Sequence, residues 1–187
     1  GEKNILITFH PVTLEKSTSG IQFQALLDSI SELRNTKIIF TKANSDTDGR
    51  VINSMIDDYV ARHDNTIAFT SMGQLNYLSA LQFMDAVVGN SSSGLMEAPS
   101  FKIGTIDIGD RQKGRIKANS IIACSPNKES IDSALVKLYS REFQDIANNV
   151  DNPYGDGGAS KEIVRIIKDT SLDNIVKKSF YDFKSVS

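Results

Sequence analysis

The stretch Gly89-Asn90-Ser91-Ser92-Ser93-Gly94-Leu95-Met96-Glu97-Ala98 concentrates more binding chemistry than any other part of the chain. Small residues let the backbone approach a ligand closely, serine hydroxyls donate hydrogen bonds, and the N–H groups that open a helix are unpaired at the positive end of its dipole. A phosphate or pyrophosphate suits such a cradle. Glu97 stands three residues after Gly94, one turn on, where its carboxylate can accept hydrogen bonds from a ribose diol. The same letters also describe a polar strand-to-helix turn with serine caps and a first-turn glutamate favoured by the dipole. Position directly after the apolar run Ala86-Val87-Val88 favours the functional reading.

A second candidate is Asp110-Arg111-Gln112-Lys113-Gly114-Arg115-Ile116-Lys117, the one dense basic patch in the sequence. Arg111 follows the end of an apolar run and can give a phosphate two parallel hydrogen bonds. Lys113 and Lys117 read as solvated surface, the usual fate of a charge run. His10, in Phe9-His10-Pro11-Val12-Thr13, lies just past the first apolar run, where an imidazole can donate to a phosphate or relay a proton near neutral pH. The second histidine, His63, reads as surface near a helix end. Phe69-Thr70-Ser71-Met72-Gly73 fits either a wrap around an aromatic base or a plain turn. Asn44-Ser45-Asp46-Thr47-Asp48-Gly49 is not a calcium loop, because Met55 occupies the twelfth position where an acid is required. Helix capping by Asp48 is the reading there.

Absences narrow the chemistry further. The sequence contains no Gly-x-x-x-x-Gly-Lys-Ser/Thr, no Gly-x-Gly-x-x-Gly after the first strand, and no Gly-x-Ser-x-Gly elbow. No metal-ligand spacing surrounds the single cysteine, Cys124, so neither a metal nor a cofactor is expected. With 21 Lys and Arg against 23 Asp and Glu, a net charge of -2 gives no general attraction to nucleic acid or to a membrane surface. An unpaired cysteine, no apolar run of about 20 residues and no signal-peptide layout predict a cytoplasmic protein. The chain opens at Gly1 without a Met and reads as part of a longer protein.

The elements that must position these residues alternate between short apolar runs and helical stretches, the pattern of a parallel sheet under crossover helices. Strands are expected over 5–9, 37–41, 66–69, 86–88, 104–108 and 120–124, and helices over 18–33, 48–61, 74–83, 127–139, 159–167 and 172–183. Ile21, Phe23, Leu26, Leu27, Ile30 and Leu33 mark the first helix, and Val51, Ile52, Met55, Ile56, Tyr59 and Val60 form the buried stripe of the second. The expected fold is α/β: a three-layer, Rossmann-like parallel sheet of about six strands with helices on both faces, spanning 1–187 as one domain. Ligands of such sheets bind beyond the carboxyl ends of the strands, so the loops after strands one, three, four and five are where chemistry is expected.

Read together, the segments His10-Pro11-Val12-Thr13, Asn44 to Gly49, Gly89 to Ala98 and Gly109-Asp110-Arg111-Gln112-Lys113-Gly114-Arg115 resemble the UDP-N-acetylglucosamine 2-epimerases, most closely the hydrolysing branch. The Gly-Asn-Ser-Ser-Ser-Gly form favours that branch over the purely epimerising one, whose turn usually reads Asp-Ser-Gly-Gly. The resemblance implies one half, the C-terminal half, of a two-domain GT-B fold, with residues 159–187 packing toward an N-terminal half absent from this chain. It implies UDP and a UDP-sugar as ligands, with Ser91, Ser92, Ser93 and Gly94 around the phosphates and Glu97 on the ribose. Arg111 and His10 would face the diphosphate, His10 also as the catalytic candidate, and Ser71 and Met72 would lie near uracil. The implied reaction is elimination of UDP across C1–C2 of the sugar, then addition of water to the glycal, in the making of sialic-acid-type sugars. This chain alone would be inactive, because the acid and base carboxylates come chiefly from the other half.

Two positions depart from the family: Gly104 stands where proline is usual and Asp107 where asparagine is frequent, changes expected to loosen or recharge the approach to Arg111. Two other functions fit the same pattern. One is the donor domain of a GT-B glycosyltransferase, against which the HPVT and DRQKGR segments speak; the other is a nucleotide-sugar sensor that binds without turnover. The apolar side of the last helix, with Ile175, Val176, Phe180 and Phe183, is expected to promote association, including a homo-oligomer in the longer protein.

Overall fold

The apolar runs become six parallel strands: β1 (Lys3–Thr8), β2 (Thr36–Thr41), β3 (Thr66–Phe69), β4 (Ala86–Gly89), β5 (Gly104–Ile108) and β6 (Ile121–Cys124). This is a computed structural model, and it describes residues 2–12, 18–44, 47–173 and 176. Their order in the sheet is β3-β2-β1-β4-β5-β6. The chain therefore winds outward in one direction from β1 and then returns to its other side at β4, which opens a crevice beyond the ends of these two strands. Thr8 at the end of β1 is in register with Thr41 of β2 and with Gly89 of β4. Two threonines and a glycine from three adjacent strands thus meet at one level.

The strands are apolar on both faces because helices cover both. Helices α1 (Ser19–Ser31), α2 (Thr47–Val60), α5 (Lys128–Leu138) and α6 (Arg141–Asn148) close one face. Ile5, Ile7, Phe23, Leu26, Ile30, Ile38, Ile52, Ile56, Ile106 and Leu138 pack together there. On the other face α3 (Gly73–Leu81), α4 (Ser93–Met96) and a 3-10 turn at Ala98–Phe101 cover Leu6 and Val87, joined by Leu81, Met84 and Ala98. The expected three-layer α/β fold is the fold observed.

Several expected details differ. Ile21 and Val51 lie at helical spacing but are 73% and 50% exposed, because each stripe packs on one narrow line and these residues fall off its edge. The helix expected over 127–139 ends at Leu138, and a further helix, α6, begins two residues after Tyr139. Both starts are capped by side chains. Asn127 Oδ1 accepts the N–H of Ser130 at 2.9 Å, and Ser140 Oγ accepts the N–H of Phe143 at 3.3 Å. The capping role expected of Asp48, Thr13 of the His-Pro-Val-Thr segment, and most of the helix expected over 172–183 lie outside the described residues or side chains.

Helix α6 accounts for Gly104. A Cβ at that position would lie 2.6 Å from Leu138 Cδ1 and 2.9 Å from Phe143 Cε1. The two helices have closed down on the strand, so the glycine tightens β5 rather than loosening it. Cys124, at the end of β6, is partly buried, and burial together with the nearby Asp107 carboxylate pushes its thiol up to about 12. It stays protonated at physiological pH and is no nucleophile.

The packing divides the chain into two compact units, Gly1–Tyr154 and Gly155–Ser187. The second contains α7 (Ala159–Asp169), braced by Arg165 between Glu162 and Asp169, with Ile163, Val164, Ile166 and Ile167 each at least half exposed. Among the described residues no helix is long and apolar enough to cross a membrane.

Two measurements check this packing. Gly104→Ala is expected to lower the unfolding free energy by about 1–3 kcal/mol in urea titration, the range for overfilling a packed core. Alkylation of Cys124 at pH 8, followed by intact mass, is expected to run on the order of a thousandfold slower in the folded chain than in urea, since the thiol titrates near 12 rather than 9.0.

Candidate functional site

The site is organised by the two residues that end β4. Gly89 has φ of +136°, and a Cβ there would stand 2.0 Å from the carbonyl oxygen of Thr8, so only glycine lets the two strand ends approach. Asn90 follows, 1% exposed. Its side-chain Oδ1 accepts the backbone N–H of His10 at 2.7 Å, and its Nδ2 donates to the His10 carbonyl at 2.8 Å. Its own N–H donates to Thr8 O at 3.2 Å. Its carbonyl accepts from Arg111 Nη1 at 3.0 Å and from the buried Gln112 Nε2 at 2.7 Å. One asparagine therefore fastens the loops after β1, β4 and β5 to one another.

The serine turn continues from this anchor. Ser91 Oγ accepts the N–H of Ser93 at 3.4 Å, and Ser91 O accepts that of Gly94 at 3.2 Å. Ser92, the residue before α4, has helical backbone angles and makes no side-chain cap, so the serine-cap alternative is not met at this position. Among the described residues, the N–H groups of Ser91 and Ser92 have no backbone or side-chain acceptor. Gly94 has a packing role. A Cβ on it would meet Thr105 Cγ2 at 2.6 Å, and Thr105 Oγ1 donates to the Gly94 carbonyl at 2.9 Å, which seats α4 directly on β5.

Above this turn lies a cleft of about 490 Å³ that brings together His10, Ser71, Met72, Ser91, Ser93 and Glu97. Ser92, Gly94 and Arg111 do not line it. Glu97 lines the cleft, and its Oε2 is buried with no hydrogen-bond partner among the described residues. Tyr77 of α3 lines the cleft between Glu97 and Ser93, whose Oγ is 2.7 Å from the phenol oxygen. Burial and the Glu97 charge raise the titration of that phenol above its usual range. Lys42 is also at the wall, but its ammonium is committed to Asp57 at 2.6 Å.

The loop after β5 contributes differently from expectation. Arg111 is exposed and spends one N–H on the Asn90 carbonyl, leaving the rest of its guanidinium to solvent. Lys117, expected as free surface, reaches back to Asp107 at 2.7 Å, and Asp107 is 1% exposed. The aspartate that departs from the family is thus neutralised by a cation of the same loop. The ends of β1, β2, β3 and β4 line the cleft, with Thr41 and Asn44 from the β2 end that sequence reasoning left out. Asn90, Gln112, Tyr77, Thr8 and Thr41 are the residues that reasoning missed. Asn90 and Gln112 carry a usable signal, each standing inside one of the quoted segments. A separate cavity of about 340 Å³ beside Gly109, Asp110, Cys124 and Ser125 contains none of the expected site residues. Among the described residues no three His, Cys, Asp or Glu side chains gather as metal ligands would.

What the cleft can do follows from its lining. It brings serine hydroxyls, the Glu97 side chain and the Ser71–Met72 turn around one space. Neutral donors suit an anion, and the carboxylate suits a pair of hydroxyls.

Comparison with known proteins gives the following. The family model described as UDP-N-acetylglucosamine 2-epimerase matches residues 1–168. A "GDP/UDP-N,N'-diacetylbacillosamine 2-epimerase (hydrolyzing)" of Campylobacter jejuni is 39% identical over 179 residues, which cover 95% of this chain and 46% of that protein. The "Polysialic acid biosynthesis protein P7" of Escherichia coli is 34% identical, covering 97% of this chain and 46% of that one. Among solved structures, an S. aureus MnaA-UDP co-structure superposes with a TM-score of 0.72 at 21% identity, over 97% of this chain and 48% of that one. The chain spans about half the length of the curated relatives it matches.

Asn90→Ala removes both side-chain bonds to the His10 backbone. It is expected to cost about 2–4 kcal/mol of unfolding free energy, measured by denaturant titration, because two net bonds are lost and their partners are left without them.

Proposed function

The chain belongs to the UDP-N-acetylglucosamine 2-epimerase family, and from that membership we propose that it is the UDP-binding half of a hydrolysing 2-epimerase. The whole enzyme would convert UDP-N-acetylglucosamine, or a related 2-acetamido sugar nucleotide, and water into the free 2-epimer and UDP. The single observation that carries this reading is Glu97, which lines one cleft with Ser91 and Ser93 and whose Oε2 is buried without a partner among the described residues. A buried acceptor without a donor costs about 1–3 kcal/mol, a cost a ribose diol would remove.

In this reading the diphosphate lies on the Ser91–Ser93 turn, with Ser91, Ser92 and Ser93 donating through hydroxyls and N–H groups. Gly94 serves by keeping α4 close to the sheet. Arg111 turns its remaining N–H groups toward the diphosphate, and Ser71 and Met72 border the base. His10, its backbone pinned by Asn90, presents its ring to the cleft from the end of β1. Cleavage of the C1–O bond pushes charge onto the departing UDP, and donors fixed in place before the reaction stabilise that charge best. Removal of the C2 proton needs a base, which we assign to the half of the enzyme outside this chain. Residues 159–187 would pack toward that half, in line with the exposed isoleucines of α7. The hydrolysing 2-epimerase of C. jejuni and the polysialic acid biosynthesis protein of E. coli among its relatives support a hydrolysing reaction and a sialic-acid-type product. The reaction would take place in the cytoplasm.

Calorimetric titration with UDP tests the reading. Saturable binding is expected, weakened tenfold or more by Glu97→Gln and by Arg111→Ala, which is about 1.4 kcal/mol each. Glu97→Gln is also expected to bind UDP and 2′-deoxy-UDP about equally, whereas the unaltered chain prefers UDP. Absence of saturable binding up to millimolar UDP overturns the reading.

A further inference from the structure

The loop that leaves β5 after Ile108 is fastened back at both ends. Near its start, Arg111 Nη1 and Gln112 Nε2 donate to the Asn90 carbonyl at 3.0 and 2.7 Å. At its far end, Lys117 Nζ lies 2.7 Å from Oδ2 of Asp107, which belongs to the strand itself. Between these points every residue except Gln112 is exposed. Two other ties reach the loop from outside: Tyr154 donates its hydroxyl to the Ile116 carbonyl at 3.0 Å, and Arg115 Nη1 lies 4.0 Å from Met96 Sδ. Both are open to water, which competes for such bonds.

The far anchor is of another kind. Asp107 is 1% exposed, and apart from Lys117 its two oxygens have no hydrogen-bond partner among the described residues. A buried carboxylate without its cation is strongly unfavourable, so Lys117 is held at the strand and the end of the loop with it. A segment closed at both ends has fewer paths open to it than one held at a single end. Arg111 lies inside that segment. Its bond to Asn90 takes one N–H of the guanidinium, and the direction of the remaining planar fork follows the path of the loop.

We infer that Asp107 and Lys117 are positioning residues for the diphosphate: the buried pair shuts the basic loop on β5 and thereby sets the Arg111 guanidinium toward the serine turn. This rests on the reading that the turn holds a diphosphate faced by Arg111. Neither member of the pair lines the cleft. Charge and position predict opposite signs here. Were the pair only a charge balance, removing the negative charge of Asp107 would favour an anion, and UDP would bind more tightly. As a positioning pair, the same change releases Lys117 and loosens the loop, and UDP binds more weakly although the region has become more positive.

The test is calorimetry with UDP and with uridine on the chain, Asp107→Asn, Arg111→Ala, the two combined, and Asp107→Asn/Lys117→Met, with urea titration alongside. Asp107→Asn keeps the shape of the side chain. It is expected to weaken UDP about five- to tenfold while uridine stays within about twofold. Added to Arg111→Ala it is expected to cost UDP nothing further, because the pair acts through Arg111. Asp107→Asn/Lys117→Met leaves the net charge unchanged and no buried charge alone, so it is expected to unfold close to the unaltered chain and still show the selective UDP loss. It carries the test if Asp107→Asn does not fold. Unchanged or tighter UDP binding, an equal loss for uridine, or a loss that persists in full beside Arg111→Ala overturns the inference while leaving UDP binding in place. Arg111→Ala binding UDP as well as the unaltered chain overturns it too. No UDP binding by the unaltered chain overturns the diphosphate reading and the inference with it.

Discussion

Everything at the carboxyl edge of this sheet hangs on the reach of one buried amide. Asn90 sits where β4 ends, and its side chain and backbone together take up groups from His10, Thr8, Arg111 and Gln112. Loops at the end of a parallel sheet carry unpaired backbone groups and tend to move independently. Here the reciprocal bond pair to His10 ties the β1 loop to the β4 turn, and the carbonyl of the same residue holds the β5 loop. Gly89 makes this possible, since any Cβ would collide with Thr8 and push the amide out of reach. A serine turn is a common structure; a serine turn held in place from two directions is a preorganised one.

The electrostatics are consistent with that preorganisation. The two lysines near the site are already paired, Lys42 with Asp57 and Lys117 with Asp107. The Lys42 pair is partly exposed and of little worth to stability, but it removes a mobile cation from the wall. The Lys117 pair holds a carboxylate that is almost wholly buried on the strand beneath α4. Left single, that charge would oppose an anion in the turn above; paired, it contributes little net field and ties the basic loop to the sheet. On the proposed reading, recognition rests on hydroxyls, N–H groups and one exposed guanidinium, in a chain whose overall charge is -2.

The sequence exposes the sheet and the turn because both are local signals. Every expected strand is present within a residue or two, since buried parallel strands are short unbroken apolar runs. Glu97 and the serines were readable from their place after such a run. Tyr77 was not, because on α3 it is one apolar residue among Leu75, Leu78 and Leu81, and only the fold brings its hydroxyl to Ser93. Arg111 is legible as a ligand candidate from its type and its place after a strand, whereas the bond it makes to Asn90 spans 21 positions. Gly104 and Asp107 look like defects one residue at a time; Leu138, Phe143 and Lys117 compensate them from elsewhere in the chain. Helix α6 escaped notice for a related reason. Its eight residues carry few apolar side chains, and Phe143 and Ala147 bury only because β5 leaves room for them.

The least stable arrangement in the site is also the most informative. Buried acceptors are satisfied almost everywhere in folded proteins, and a carboxylate oxygen without a donor is a standing cost. The Tyr77 phenol bonds Ser93 Oγ at 2.7 Å, and Glu97 Oε2 has no partner among the described residues. The hydroxyls of Ser93 and Tyr77 are thus paired with each other, while the buried Glu97 Oε2 lacks a donor. A fold optimised for stability alone would close that gap, and one that keeps it open holds donor and acceptor apart at the cost of about 1–3 kcal/mol. A ligand that carries both an anion and vicinal hydroxyls can complete both sides at once.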